Sequence, residues 1–187
     1  MILKKTSAAF GLLSILFLLL HIIYNIYAYL TMYYNPFLQK VFAIPFMVMV
    51  CLHTVCGMLT LMMKNDGSTL DLYPQQNLRT ILQRVSAALI FPLLILHINT
   101  FSLMQACAQK DMKAGICLLI LAELLFFAVV IIHVAVSLTK GLITLGLLTS
   151  RETMAVLDRI IYICGAIFYF AAVYAVVKGQ VIMFLMG

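Results

Sequence analysis

The sequence predicts an all-α, integral-membrane bundle of five transmembrane helices, forming one domain over residues 1–187. Three observations predict it. Hydrophobic residues make up 65% of the chain, charged residues only 10%, and mean hydropathy is +1.14, more apolar surface than a soluble domain of this length can use. Five long apolar runs stand at about 8–30, 41–63, 81–107, 116–138 and 160–186, each reaching the ~20 residues a helix needs to cross ~30 Å of hydrocarbon. The connections are short, so no soluble domain is expected, and chemistry on a water-soluble substrate would belong to a partner.

Helix 1 follows Lys4 and Lys5 as a signal peptide would. It is longer than a usual secretory apolar region and no A-x-A site follows, so it is read as a membrane span. Tyr24, Asn25, Tyr27, Tyr33, Tyr34 and Asn35 gather at its far end, as an interfacial aromatic belt would. Helix 2 carries His53, Gly57, Met58 and Met62 and ends at "KNDGSTLDLYPQQNLR", whose Asp66-Gly67 and Pro74 are turn and cap residues. Helix 3 holds "QRVSAALIFPLLILHINT", with Asn99 read as an interhelical hydrogen-bonding group. Helix 4 carries Glu123, His133 and Ser137, and helix 5 has no histidine. The five cysteines form no C-x-x-C pair. Cys51, Cys56 and Cys164 are read as small packing residues; Cys107 and Cys117, flanking one loop, are expected as free thiols.

The net charge of +6 is informative by position. With the N-terminus in the cytoplasm, Lys4, Lys5, Lys64, Arg79, Arg84, Lys140, Arg151 and Arg159 fall inside, and Lys40, Lys110, Lys113 and Lys178 outside. Eight against four predicts N-terminus in and C-terminus out. The partner this charge pattern implies is a lipid bilayer, and no nucleic acid is expected.

The four histidines, His21, His53, His97 and His133, lie one each in helices 1 to 4. Hydrocarbon offers an imidazole no water, so each needs a partner. Depth sorts them. His21 is 16 residues from Lys5 and His97 is 13 from Arg84, roughly 20–24 Å from the inner side at ~1.5 Å per residue. His53 is 11 residues from Lys64 and His133 is 7 from Lys140, roughly 10–17 Å. Two pairs at two depths on facing helices match the axial ligation of two b-type haems, which a bundle core can enclose. No C-x-x-C-H is present for covalent attachment. Gly57 and Ser137, one turn beyond His53 and His133, are expected to leave room for a flat macrocycle. The halves also echo one another: "SAAFGLLSILFLLLHI" against "SAALIFPLLILHI", and "HTVCGMLT" against "HVAVSLTK".

On "QRVSAALIFPLLILH", "HTVCGML" and one histidine in each of the first four helices, the chain resembles the membrane anchor of the succinate dehydrogenase/fumarate reductase family, of the single-chain, five-helix, dihaem cytochrome b type. The resemblance implies a bacterial cytoplasmic-membrane subunit without a catalytic domain of its own. It would pass electrons between membrane quinone (menaquinone or ubiquinone) and cytoplasmic iron–sulfur and flavoprotein subunits. It implies that His53 and His133 hold the proximal haem, near the cytoplasmic subunits, and His21 and His97 the distal one. Arg84 and Ser86 correspond to contacts with quinone or haem propionate. The chain departs from some members in having Ile131 two residues before His133 where they have glutamate, and in having no acid in "YLTMYYNPFLQK".

Other readings stand beside this one. Glu123, ten residues outward of His133, is either a proton acceptor for quinol or a hydrogen-bonded acid near the outer interface. Arg84 marks the inner interface or pairs with a propionate. Met58 and Met62, one turn apart, could instead hold Cu(I) in a copper transporter. A haem-free structural anchor, its histidines hydrogen-bonded in the core, is the third reading.

Overall fold

The computed structural model describes the backbone of residues 2–63 and 74–186, with side chains described outside 61–77. Lys64 and Asp66-Gly67 lie outside the described residues, as do the side chains of Met62 and Pro74. The chain forms five helices: α1 (Ile2–Thr31), α2 (Pro36–Met63), α3 (Pro74–Gln109), α4 (Lys113–Leu145) and α5 (Arg151–Phe184). Among the described residues there is no strand. All five helices are long and apolar enough to cross a bilayer, so the chain is a multi-pass membrane protein.

The helices outrun the apolar runs, most at α3, which begins seven residues before position 81. Apolar runs mark only the hydrocarbon; the helices continue into the headgroup layer, where Lys, Arg and Gln find water. Pro36 and Pro74 each open a helix, where a missing N–H costs nothing. Pro45 and Pro92 lie inside helices without ending them, as membrane helices tolerate.

The connections are capped locally. Asn35 accepts the N–H groups of Phe37 (2.9 Å) and Leu38 (3.3 Å) through Oδ1, capping α2. The Tyr24 hydroxyl donates to the Asn35 carbonyl at 2.8 Å and accepts its N–H at 2.7 Å. Tyr24 is therefore a buried lock between α1 and α2, while Tyr27, Tyr33 and Tyr34 are exposed and fit the aromatic belt. Gly146, at φ 78°, ends α4 with its N–H on the Ile143 carbonyl (3.0 Å) and the Leu147 N–H on Leu142 (3.0 Å).

Two hairpins, α1–α2 and α3–α4, have the most extensive packing. The hairpins meet through α1 and α4, and α5 lies against both of these and touches α3. Among the described residues α2 approaches only α1, so α2 and α3 stand as separate walls beside the α1–α4 contact. The end where α1 begins carries Lys4, Arg79, Arg84, Lys140, Arg151 and Arg159 and is called the basic end below. There Arg79 is clamped across three helices. It bonds both Asp158 oxygens (2.8 and 2.9 Å), the Val136 carbonyl (2.9 Å) and Thr139 (3.2 Å), while Thr139 also donates to Asp158. A charge this well paired can leave water, and its geometry ties α3, α4 and α5 together. At the far end Met104, Ile116 and Ile120 form an apolar core with Val177, Val181 and Phe184.

All five cysteines are free, Cys107 and Cys117 included. Cys51 and Cys164 are exposed on the bundle surface, which is the lipid side, and so do not pack the interior. Asn99 bonds the Ile95 carbonyl of its own helix at 2.7 Å and is exposed, so it joins no second helix. It lines a shallow groove on α3 with Pro92, Ile95 and Leu96.

Candidate functional site: four histidines in two layers

The layer nearer the basic end is built twice, once in each hairpin. Ser7 of α1 and Ser86 of α3 begin the two echoing strings. The His53 ring is held through Nδ1, which donates to the Ser7 carbonyl at 2.7 Å, while the Ser7 hydroxyl donates to the His53 carbonyl at 3.1 Å. His133 Nδ1 lies 3.0 Å from Ser86 Oγ and 3.2 Å from the Gln83 carbonyl, and Ser86 passes its own proton to the Leu82 carbonyl at 2.6 Å. Each hairpin therefore uses the serine of its first helix to orient the histidine of its second. Because Nδ1 donates in both cases, Nε2 is left as the acceptor.

The close approach at His53 depends on Gly11, one turn beyond Ser7. A Cβ at that position would stand 3.0 Å from His53 Nδ1 and 3.1 Å from Cε1. Gly57, expected to clear a slot, instead meets Ser7 Oγ at an ordinary 3.6 Å from its would-be Cβ. The Ser137 hydroxyl, on the His133 face, is buried and unpartnered, and the Cβ side of Gly141 one turn further is open.

In the layer toward the far end, His97 Nδ1 lies 2.9 and 3.0 Å from the two Glu123 oxygens. Its ring stacks on Phe126 with centroids 4.7 Å apart, and Phe127 meets it edge-on at 6.1 Å. His21 differs. Asn25 approaches its Nε2 at 3.3 Å while bonding the His21 carbonyl at 2.7 Å, and Nδ1 is buried without a partner. Phe46 of α2 stacks over this ring at 6.1 Å.

The structure places His21 with His97 in one layer and His53 with His133 in the other, each pair within electrostatic range across the bundle. His97 follows Ser86 by 11 residues and His21 follows Ser7 by 14. These are close to three and four whole turns, so each outer histidine returns to the face of its serine despite the unequal spacing.

The residues present fit haem on two counts. Three imidazoles, at His53, His97 and His133, have Nδ1 engaged by a protein acceptor and Nε2 uncommitted, the arrangement that orients a metal-binding histidine. The fourth has a buried nitrogen with nothing to bind, a state buried polar atoms rarely keep. Presenting Nε2 at His21 requires Asn25 to release it, and Asn25 retains its bond to the helix carbonyl in doing so. Among the described residues no three His, Cys, Asp or Glu gather as a protein-only metal site requires; an iron taking four ligands from a porphyrin needs only the two histidines. Met58 is exposed on the bundle surface.

Of the other candidates, Ser86 is taken up by His133 and Glu123 by His97. Arg84 is exposed at the basic end and has an interaction partner. Sequence reasoning missed Ser7, Gly11 and Gln83; Asn25, read from the sequence as part of the aromatic belt or as a quinone or propionate contact, is found on His21. The echo of "SAAFG" and "SAALI" was the signal for Ser7, and Gly11 follows it by one turn. No protein-family model, curated protein or solved structure matches the chain.

Proposed function

We propose that the chain is a haem b-binding membrane anchor. It would transfer electrons between quinone and cytoplasmic iron–sulfur and flavoprotein subunits of a succinate dehydrogenase/fumarate reductase-like complex in a bacterial cytoplasmic membrane. The observation that carries this reading is the pairing of four intramembrane histidines in two layers, three of them oriented through Nδ1. His53 and His133 would hold one haem, near the cytoplasmic face, and His21 and His97 the other. Bound there, haem b supplies one-electron chemistry.

The chain's own residues set the conditions. Ser7, Ser86 and Glu123 fix the rings, and Gly11 admits His53. With the N-terminus inside, the basic end faces the cytoplasm and offers Arg84, Arg151 and Arg159 as a docking face. Arg79, also an inner-side cation, is committed to Asp158 within the bundle and is removed from that face. Lys140 is half-committed, donating to Thr80 (3.0 Å) and Gln83 (3.3 Å).

The test is isolation from native membranes followed by reduction with a quinol analogue. An iron–sulfur protein and a flavoprotein are expected to co-purify, with haem reduced by menaquinol or ubiquinol. Isolation with neither subunit, together with chromophores that neither quinol reduces, would contradict the reading.

A further inference from the structure

The four histidines do not have equivalent partners. His53 and His133 lean on neutral backbone carbonyls, of Ser7 and Gln83. His21 Nδ1 leans on nothing. Only His97 is backed by a carboxylate, and that carboxylate is 4% exposed, with both oxygens within 3.0 Å of one ring nitrogen. The contact joins α3 to α4 and is braced by Phe126, itself buried, stacked on the same ring.

We propose that Glu123 is the potential-setting residue of the outer site, acting through His97; this rests on the haem reading above. It is a positioning residue, because it touches the ligand and not the iron. Drawing on the Nδ1 proton, a carboxylate makes the opposite nitrogen a stronger donor than a backbone carbonyl does, and a stronger donor favours ferric over ferrous iron. The buried negative charge acts in the same direction, and little water is present to screen it. Glu123 is thereby assigned a role other than direct proton exchange with quinol: its oxygens face an imidazole. Among the described residues the other carboxylate held within the bundle, Asp158 of α5, is committed to Arg79 and Thr139 at the basic end, so the device is built at one ligand of the four.

The experiment is a spectroelectrochemical titration of the purified, haem-loaded full chain and its Glu123→Gln and Glu123→Asp variants. Glutamine keeps the shape and an acceptor oxygen but removes the charge. E123Q is expected to retain two haems and to shift the reduction equilibrium of one of them at least tenfold toward the ferrous form, about 59 mV for one electron. The other haem's equilibrium should stay in place, and E123D should return the first toward wild type. Two haems in E123Q with both equilibria unmoved would overturn this inference and leave the haem reading intact. Should E123Q not accumulate, near-infrared magnetic circular dichroism of the ferric wild type decides. One haem is expected to show its charge-transfer band at higher energy than the other, the signature of imidazolate character; coincident bands would overturn the inference. A wild-type chain that takes up no haem would overturn the haem reading itself, and this one with it.

Discussion

Replacing either His53 or His133 with alanine is expected to lower the haem content from two per chain to one, and the same haem should be lost in both variants. His21→Ala and His97→Ala should each remove the other haem. The expectation follows from pairing: a bis-imidazole site with one axial ligand gone loses the bond and also the oriented ring that closed it. Reduced-minus-oxidised spectra at low temperature, together with a haem count, would show which of two bands disappears. A purely structural role for these histidines predicts a different result. Deleting a buried, hydrogen-bonded imidazole then costs about 1–3 kcal/mol of stability, with no change in colour. Losses that pair His21 with His53, the two histidines of one hairpin, would show that the layers are wrongly assigned.

The second large effect is expected at a residue with no polar atom in its side chain. Gly11→Val should empty the inner haem site and spare the outer one. Even the Cβ alone would press to 3.0–3.1 Å on the His53 ring, and the two methyl groups of valine extend further, on a rigid, branched side chain. The His53 ring must then leave its bond to the Ser7 carbonyl, and Nε2 moves with it. Gly11→Ala should show a partial loss at the same site. Gly57→Ala is the control: its Cβ would meet only Ser7 Oγ, at 3.6 Å. Exchanging Gly for Ala inside a helix also favours the helix by up to about 1 kcal/mol. Gly57→Ala should therefore keep both haems. The haem count of the three purified variants checks the series, and a Gly11→Val protein with two haems would contradict it.

The fold was legible because bilayer crossing imposes a length and an apolar composition that no other requirement of this chain imitates. Helix ends were less legible, since the last turns at each interface are polar and leave the apolar pattern while remaining helical. The layering of the histidines could be read from distance along each helix, because rise per residue is nearly constant. What each side chain meets could not, because one residue along a helix turns the face by about 100°. Arg79 and Arg84 show the difference: five residues apart at the basic end, they look alike in sequence, yet only Arg79 finds Asp158 of α5. Glu123 and His97 are likewise 26 residues apart on separate helices, and nothing local marks them as partners. Tyr24 looked like the other interfacial tyrosines until Asn35 placed a helix end against its hydroxyl.

The central claim is that this chain holds two b-type haems between its own helices, and the haem content of the purified chain tests it most directly. Protein produced with ample haem and isolated in detergent should show a dithionite-reduced spectrum with Soret and α bands. Its pyridine haemochrome should give two haems b per chain. A colourless protein under those conditions, folded and monodisperse, would contradict the account and return the histidines to a structural or metal-transport role.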